Sequence, residues 1–160
     1  MSNASIYDVV CQSGNPVGSA ICAANSGTFA MTFGSFASVA SLSQSIATVS
    51  GQSYDVSFFL ALSDADPFSE ETFEVQWGGS TVFSSANPGA AFGYSQRVIL
   101  NLLATSSSMT LDFRARNDPG QWFLDDIAIA DASGVPEPAT VVLTGLGLAG
   151  AALVQRRRAR

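Results

Sequence analysis

Two residue types that commonly carry chemistry are missing from this 160-residue chain. It contains no histidine and no lysine, so all seven basic residues are arginines. Without imidazole there is no Ser-His or Cys-His relay and no His-ligated metal centre, and without lysine there is no Schiff-base nucleophile. Carboxylates are the groups left for acid-base catalysis, which narrows the enzymatic options to a carboxylate-only hydrolase.

A glycosidase of that kind needs two carboxyl groups roughly 5–9.5 Å apart, one of them with a raised pKa. The nearest candidates are Glu70, Glu71 and Glu74, acting with an aspartate. All three fall in one acidic turn and strand, where we expect them to be solvated. The sequence therefore favours a protein that is not an enzyme.

Cys11 and Cys22 are the only cysteines, and both lie in a segment rich in Gly, Ser and Asn. In an oxidising compartment a disulfide between them would close a loop of about a dozen residues and add roughly 2–3 kcal/mol of stability. The alternative is two free thiols. We favour the disulfide, because both cysteines lie in this one loop. The lack of a histidine to activate a thiolate argues against a catalytic cysteine.

The charge balance argues against nucleic acid as a partner, because phosphate neutralisation needs a basic surface. The formal net charge is −6, and four of the seven arginines lie within the last five residues. The rest of the chain is therefore more acidic than the total suggests. Its length suits one domain with its own core.

The elements that must position these groups are β-strands, since apolar residues alternate with polar ones. The longest alternation, over residues 54–62, predicts a half-buried strand. A turn around Gly51 separates it from the run 42–49, and we expect these two strands to form a hairpin. Shorter runs bring the total to seven or eight strands. An all-β fold, an antiparallel β-sandwich, is the prediction.

Sugar contacts would come from polar residues beside aromatics on outward strand faces, and the candidates are Gln76, Trp77, Arg114, Arg116 and Trp122. A sugar site combines an aromatic platform with hydrogen-bonding groups. The alternation also predicts that Trp77 points inward with Phe73 and Val75. We therefore assign no sugar site from the sequence.

The C-terminal segment is a separate module. Residues 139–154 carry no charge, and as a helix they would be about 24 Å long, slightly short of a ~30 Å hydrocarbon core. The basic tail 155–160 follows, and its arginines are Arg156, Arg157, Arg158 and Arg160. Arginines there predict a cytoplasmic C-terminus and an acidic body on the outside. We predict a single transmembrane helix at 139–154, the alternative being a buried core helix.

A linker at 132–138 leads into this helix and contains Val135, Pro136, Glu137 and Pro138. Two prolines favour an extended conformation. An extended, pre-ordered acidic segment suits capture by a protease cleft, because little conformational entropy remains to be lost. The alternative is a plain linker.

Pro136-Glu137-Pro138, the 16-residue apolar span and the arginine cluster together resemble the PEP-CTERM sorting signal. Proteins with this signal are exported through the inner membrane of Gram-negative bacteria, many of which produce exopolysaccharide. The resemblance implies that an exosortase, a membrane-embedded cysteine transpeptidase-like enzyme, recognises and removes the tail. A membrane-anchored precursor would thus become a protein of the cell surface or extracellular matrix.

The body resembles the galactose-binding-like jelly rolls of PEP-CTERM proteins in three stretches, 42–54, 73–79 and 122–127. This likeness covers about residues 26–131. It implies an irregular N-terminal segment at 1–25, a β-sandwich domain at 26–131 and the sorting signal at 132–160.

Many proteins of this fold group bind carbohydrate, and several hold a structural calcium ion through an aspartate of the last strand. Asp125 or Asp126 matches that position. Calcium takes six to eight oxygen ligands, and the family's early Asn-Gly-x-Phe-Glu type segment is missing here. We therefore favour solvation, or hydrogen bonds to a loop, over calcium for these two acids, and expect no other cofactor.

Residues 1–10 lack the basic start and apolar core of a signal peptide. A sorting tail without a secretion leader predicts that the true start lies upstream or that the gene is a truncated copy. The sandwich would then lack its first strand and have an open edge.

Three functions compete. The first is a non-catalytic surface or matrix protein whose partners are an exosortase and the membrane. The second is a carbohydrate-binding module that retains exopolysaccharide, and the third is the carboxylate-only hydrolase.

Overall fold

The computed structural model describes residues 9–17, 20–35, 37–65, 70–118 and 120–132. Every regular element there is a β-strand: β1 (Val9–Gln12), β2 (Pro16–Val17), β3 (Ala20–Ile21), β4 (Phe29–Phe33), β5 (Ala40–Ala47), β6 (Ser53–Leu62), β7 (Glu71–Trp77), β8 (Ser80–Ala86), β9 (Phe92–Leu103), β10 (Ser108–Asn117) and β11 (Trp122–Asp131). The prediction of an all-β antiparallel sandwich is confirmed. The expected C-terminal helix lies outside the described residues.

Two antiparallel sheets enclose the core. The larger has the strand order β1-β4-β11-β6-β9 and the smaller the order β5-β10-β7-β8, while β2 and β3 form a separate ribbon. β11 is the last strand of the described residues, yet it occupies the middle of the larger sheet. That sheet is therefore completed only by the final residues of the body.

The core follows the period-two pattern of the sequence. One face of β6 is buried throughout, and its residues are Tyr54, Val56, Phe58, Leu60 and Leu62. The Phe58 ring centroid lies 5.4 Å from that of Phe113, 5.7 Å from that of Phe83 and 6.0 Å from that of Phe73. Aromatic pairs at such distances contribute about 0.5–1.5 kcal/mol beyond burial. They hold the smaller sheet, which supplies all three partners, against the larger one.

The connection around Gly51 is not a hairpin, so that prediction was wrong. β5 belongs to the smaller sheet and β6 to the larger, and the chain crosses between them. The Gly51 N–H donates to Ala104 O at 2.7 Å, and the Ala104 N–H donates to Gln52 O at 2.8 Å, so the crossing bonds to the connection between β9 and β10. Alternation indicates which residues face the core, not which strand lies alongside.

The described N-terminal residues, 9–17 and 20–25, contain three short strands. β1 pairs with β4 as an edge strand of the larger sheet. A disulfide joins Cys11 to Cys22, whose Cα atoms are 6.0 Å apart. Both cysteines pack against Phe123 and Ala61 in a second apolar cluster. The disulfide loop therefore covers part of the outer face of the larger sheet.

The two halves of β11 have different strand neighbours. β4 pairs with it only from Trp122 to Leu124. Its register against β6 then shifts between Asp125 and Ala128, and Asp126 has a φ of 48°. In the described chain, the part of β11 after this bulge has a strand neighbour on one side only.

Candidate functional site

The tail leaves the sandwich at the end of its middle strand. The Ala132 N–H donates to Ser53 O at 2.9 Å, which continues the ladder between β11 and β6. The sorting residues 135–138, the apolar span 139–154 and the arginines of 155–160 lie outside the described residues. Within the part of the chain that is described, no helix has the length and apolarity to cross a membrane.

Two adjacent carboxylates on β11 fasten a loop that lies a hundred residues earlier. Asp125 Oδ2 accepts hydrogen bonds from the backbone N–H groups of Asn25 at 2.7 Å and Ser26 at 3.3 Å. Asp126 accepts from the side chains of the same residues, from Asn25 Nδ2 at 2.8 Å and from Ser26 Oγ at 2.5 Å. We call these four residues the aspartate clamp.

The electrostatics of the aspartate clamp follow from these bonds. The Ser26 hydroxyl, and after it the Asn25 amide, hold the pKa of Asp126 below its usual range. Tyr94 lies close by, and its hydroxyl group donates a hydrogen bond to Ala23 O at 2.7 Å. Burial, with the negative charges of Asp125 and Asp126, raises the pKa of that phenol. The ionised clamp therefore favours a protonated Tyr94.

The aspartate clamp is the loop-bonding arrangement that the sequence favours over calcium. Asp125 Oδ1 accepts the Asp126 N–H at 2.8 Å, so all four carboxylate oxygens accept a hydrogen bond. Calcium would require several further oxygen ligands. Among the described residues, no three His, Cys, Asp or Glu side chains gather as a metal site. What these carboxylates do in the structure is hold the loop.

Glu71 and Glu74 do not form a catalytic pair with each other. The side chain of Glu70 is exposed and forms an ion pair with Arg116. Glu71 is only 1% exposed, so the expectation of solvation was wrong for it. β7 begins at Glu71, and its alternation turns that residue toward the interior and Glu74 toward the outer face. Carboxyl groups on opposite faces of a sheet cannot flank one glycosidic bond.

Arg116 is engaged at one end of the sandwich. Its guanidinium contacts Asp118 Oδ2 at 2.7 and 2.8 Å and also pairs with Glu70. Asp118 accepts in turn the N–H of Ala37 at 3.0 Å. These bonds raise the pKa of Arg116, with the hydrogen bond to Asp118 as the main cause. Through these bonds Arg116 links the connection before β7, the connection after β10 and the connection after β4. Its guanidinium group is therefore engaged within the protein and is not free to bind a sugar.

Neither tryptophan offers a platform for a sugar ring. Trp77 is 5% exposed, and its Nε1–H donates to Leu103 O at 3.0 Å. Trp122 is fully buried, and its Nε1–H donates to Arg116 O at 3.1 Å. Both rings belong to the core, as the alternation predicts for Trp77.

Gln76 and Asp112 lie side by side on the outer face of the smaller sheet, where they line a cavity of about 420 Å³. Ser108 and Thr110 also line this cavity, which we call the polar depression. Asp112 Oδ1 is buried and has no hydrogen-bond partner among the described residues. Burial raises the pKa of Asp112, while Arg114 opposes the shift. Among the described residues, this oxygen is thus an acceptor without a donor.

The turn from β7 to β8 shapes the rim of the polar depression. Gly78 and Gly79 have φ values of 57° and 84°, as a two-residue hairpin turn requires. A Cβ on Gly78 would lie 2.5 Å from Met109 Cε. Glycine at this position therefore leaves room for the Met109 side chain beneath the rim.

Asn25 and Ser26 are members of the aspartate clamp that the sequence did not single out. They belong to a short polar turn that precedes β4, and nothing local links such a turn to Asp125. Only the pairing of β4 with β11 brings the two segments together. A turn of Asn, Ser and Gly was the available signal, but it indicates a loop and not its partner.

Residues 134–158 match the PEP-CTERM protein-sorting motif, whereas no curated protein matches the chain. Among solved structures, the K3 cleaved adhesin domain of Lys-gingipain from Porphyromonas gingivalis w83 is 14% identical, covering 72% of this chain and 81% of its own, with a TM-score of 0.51. The EclA C-terminal domain, a sugar-binding protein, is 13% identical over 73% of this chain and 88% of its own, with a TM-score of 0.50.

A CBM4 structure is 10% identical over 57% of this chain, with a TM-score of 0.42. The present chain covers 60% of that CBM4 chain, less than two thirds of its length. At such identities the similarities concern the fold, a jelly-roll β-sandwich. The chain thus carries a PEP-CTERM sorting motif behind a β-sandwich body, and this motif indicates export through the exosortase pathway of Gram-negative bacteria.

Proposed function

We propose that the protein is a non-catalytic component of the cell surface or extracellular matrix, sorted by its tail. The observation that carries the proposal is the sorting motif at 134–158, which begins two residues after the last bond of the sandwich at Ala132. The precursor is anchored by residues 139–154, an exosortase recognises Pro136, Glu137 and Pro138, and the acidic body is delivered outside.

The body supports this role by its construction. A disulfide suits an oxidising compartment. Asp125 and Asp126 serve structural bonds, and Glu71 and Glu74 lie on opposite faces of β7. We therefore assign no reaction to the body.

The test is the intact mass of the full chain, produced in a host that has an exosortase and in the same host without it. Wild type should lose roughly the last two dozen residues only when the enzyme is present. The variant P136A/P138A should keep its full mass, whereas the matched control P88A, in an exposed loop, should be processed like wild type. Full-length wild type in the exosortase host, or normal processing of P136A/P138A, contradicts the proposal.

A second function, carbohydrate binding, is favoured by the polar depression. A buried carboxylate oxygen without a partner accepts a sugar hydroxyl well, and the Gln76 amide beside it can donate to another. The EclA C-terminal domain shares this fold and is a sugar-binding protein. The ligand class would be a neutral polysaccharide, since an acidic one is repelled by Asp112.

Binding to immobilised neutral and uronic-acid polysaccharides tests this function. Because a hydrogen bond to a charged group is worth about 1.5–3 kcal/mol, D112N should weaken binding to a neutral glycan about ten- to a hundredfold. The control E74Q lies on the same face outside the depression and should bind like wild type. Absence of binding, or equal binding by D112N, contradicts it.

A further inference from the structure

The sandwich has an apolar groove along one side. It lies between β5, the edge strand of the smaller sheet, and the second half of β11, and its volume is about 420 Å³. The apolar residues that line it are Leu42, Ile46, Leu111, Phe113, Ile127 and Ile129. Leu111 and Phe113 form a buried floor, whereas Leu42 and Ile127 are 37% and 42% exposed at the rim.

The backbone of β11 is also unpaired along this groove. The Ala132 N–H points to β6, where it bonds to Ser53 O. Because successive N–H groups of a strand point to opposite sides, those of Ile129 and Asp131 point away from β6. β4 reaches only to Leu124. In the described part of the chain, these two amides therefore have no strand partner.

A groove with apolar pockets beside an unpaired strand edge is the geometry that accepts an added β-strand. Main-chain hydrogen bonds would satisfy the amides of Ile129 and Asp131. Alternate side chains of the added strand would cover the exposed rim at Leu42 and Ile127. The occupant must therefore be extended, apolar and uncharged.

We propose that residues 139–144 of the protein's own tail occupy this groove as an antiparallel strand on β11 until the tail meets a membrane. The tail continues from Ala132, three residues after Ile129 in the lining of the groove, and 133–138 supply the reversal of direction. Prolines at 136 and 138 cannot donate to a ladder, which suits a connection and not a strand. Ala-Thr-Val-Val-Leu-Thr at 139–144 is uncharged and rich in β-branched residues, which favour strands.

The docked tail is a state of the protein in water, before it inserts into a membrane. Docking covers the first part of the apolar span and leaves 145–154 available to insert into lipid. A sixteen-residue uncharged span gains more from a bilayer than six of its residues gain from a shallow groove. This inference goes beyond the proposed function and does not depend on processing by an exosortase.

The test is residue-resolved amide hydrogen exchange on the full chain, dilute and without membranes. The Ile129 and Asp131 amides should exchange about tenfold more slowly in wild type than in V141D/L143D, whose tail cannot dock. L42D, on the opposite wall of the groove, should also speed up exchange, and V98D, exposed on β9, should not. Slow exchange at Phe58 in each variant shows that the core is folded. Added phosphatidylcholine vesicles should remove the protection in wild type.

Equal exchange at Ile129 and Asp131 in wild type and V141D/L143D would overturn the proposal. Protection that grows with protein concentration and persists in V141D/L143D would also overturn it, because the occupant would then be a second copy. Failure of tail processing by an exosortase would contradict the sorting role and leave these exchange rates unchanged, so the two hypotheses fail separately.

Discussion

The backbone N–H of Asn25 lies 2.7 Å from the carboxylate oxygen Oδ2 of Asp125, although a hundred residues separate them along the chain. The bond closes the loop before β4 onto the bulge of β11, and the neighbouring pair of Ser26 and Asp126 repeats the closure. The N-terminal part of the body is thus fastened to the strand from which the tail leaves.

The aspartate clamp should be sensitive to acid. The pKa of Asp126 is lowered in the fold, so its stabilising effect is present above the ordinary aspartate pKa of about 3.9 and is lost as the pH falls through the lower folded value. Asp126 accepts from the side chains of Asn25 and Ser26, whose N–H groups donate to Asp125, so its protonation should loosen the loop that carries these amides. We expect the protection factors of the two amides, which compare their exchange with that of an unfolded peptide at the same pH, to fall below about pH 4 in wild type. D126N should show lowered protection factors already at pH 7. D131N is the control, and a wild-type pH profile in D126N would contradict the assignment.

The disulfide should stabilise the body measurably. C11S/C22S should lower the free energy of unfolding by about 2–3 kcal/mol, because the open loop gains freedom in the unfolded chain. Chemical denaturation with and without a reductant measures the difference. The reductant should lower the free energy of unfolding of wild type and leave that of C11S/C22S unchanged. Equal stability of all four samples would show that the Cys11–Cys22 bond is energetically neutral.

Gly34 should be intolerant of a side chain. An added Cβ would lie 2.2–2.5 Å from the side-chain amide of Gln121, which is buried. G34A should therefore cost about 1–3 kcal/mol in unfolding free energy, as expected for overpacking. G93A is the matched control, since nothing lies within 4 Å of its added Cβ. Urea unfolding of both variants decides the matter, and equal midpoints would show that Gln121 moves aside freely.

Phe58 should be costly to truncate, since its buried ring contacts three other phenylalanine rings across the two sheets. F58A should lower stability by about 3–5 kcal/mol. F29A removes the same group from a site that is 58% exposed and should cost far less. Thermal unfolding of the pair measures the contrast. Similar losses would place the main core elsewhere.

Much of the fold was readable from alternation because burial on one face of a strand repeats every second residue. Tyr54 to Leu62 shows this directly. The rule fails in β9, where Leu100 is 60% exposed and Leu102 is 8% exposed although they are two residues apart. Asn101 between them has a φ of 60°, and its N–H donates to Asp55 Oδ1 at 2.9 Å. A partner on another strand sets that bulge, so β9 alone does not encode it.

The candidate sites also differ in whether the sequence alone identifies their residues. The tail motif is contiguous, and order and spacing identify Pro136, Glu137 and Pro138 from the sequence. The aspartate clamp and the polar depression are not contiguous, since Asn25 meets Asp125 and Gln76 meets Asp112 only through strand pairing. Residue types suggested that Asp125 and Asp126 were acceptors, but the donors depend on topology.

The central place of β11 has a mechanical consequence. A pull on the C-terminus is transmitted along a strand that has β6 on one side and β4 over part of the other. Hydrogen bonds between antiparallel strands run perpendicular to the strand axis, so such a load shears many bonds at once and does not unzip them singly. The strand that leads into the tail is therefore held against a pull along its axis by its ladder with β6 as a whole and not by one bond at a time.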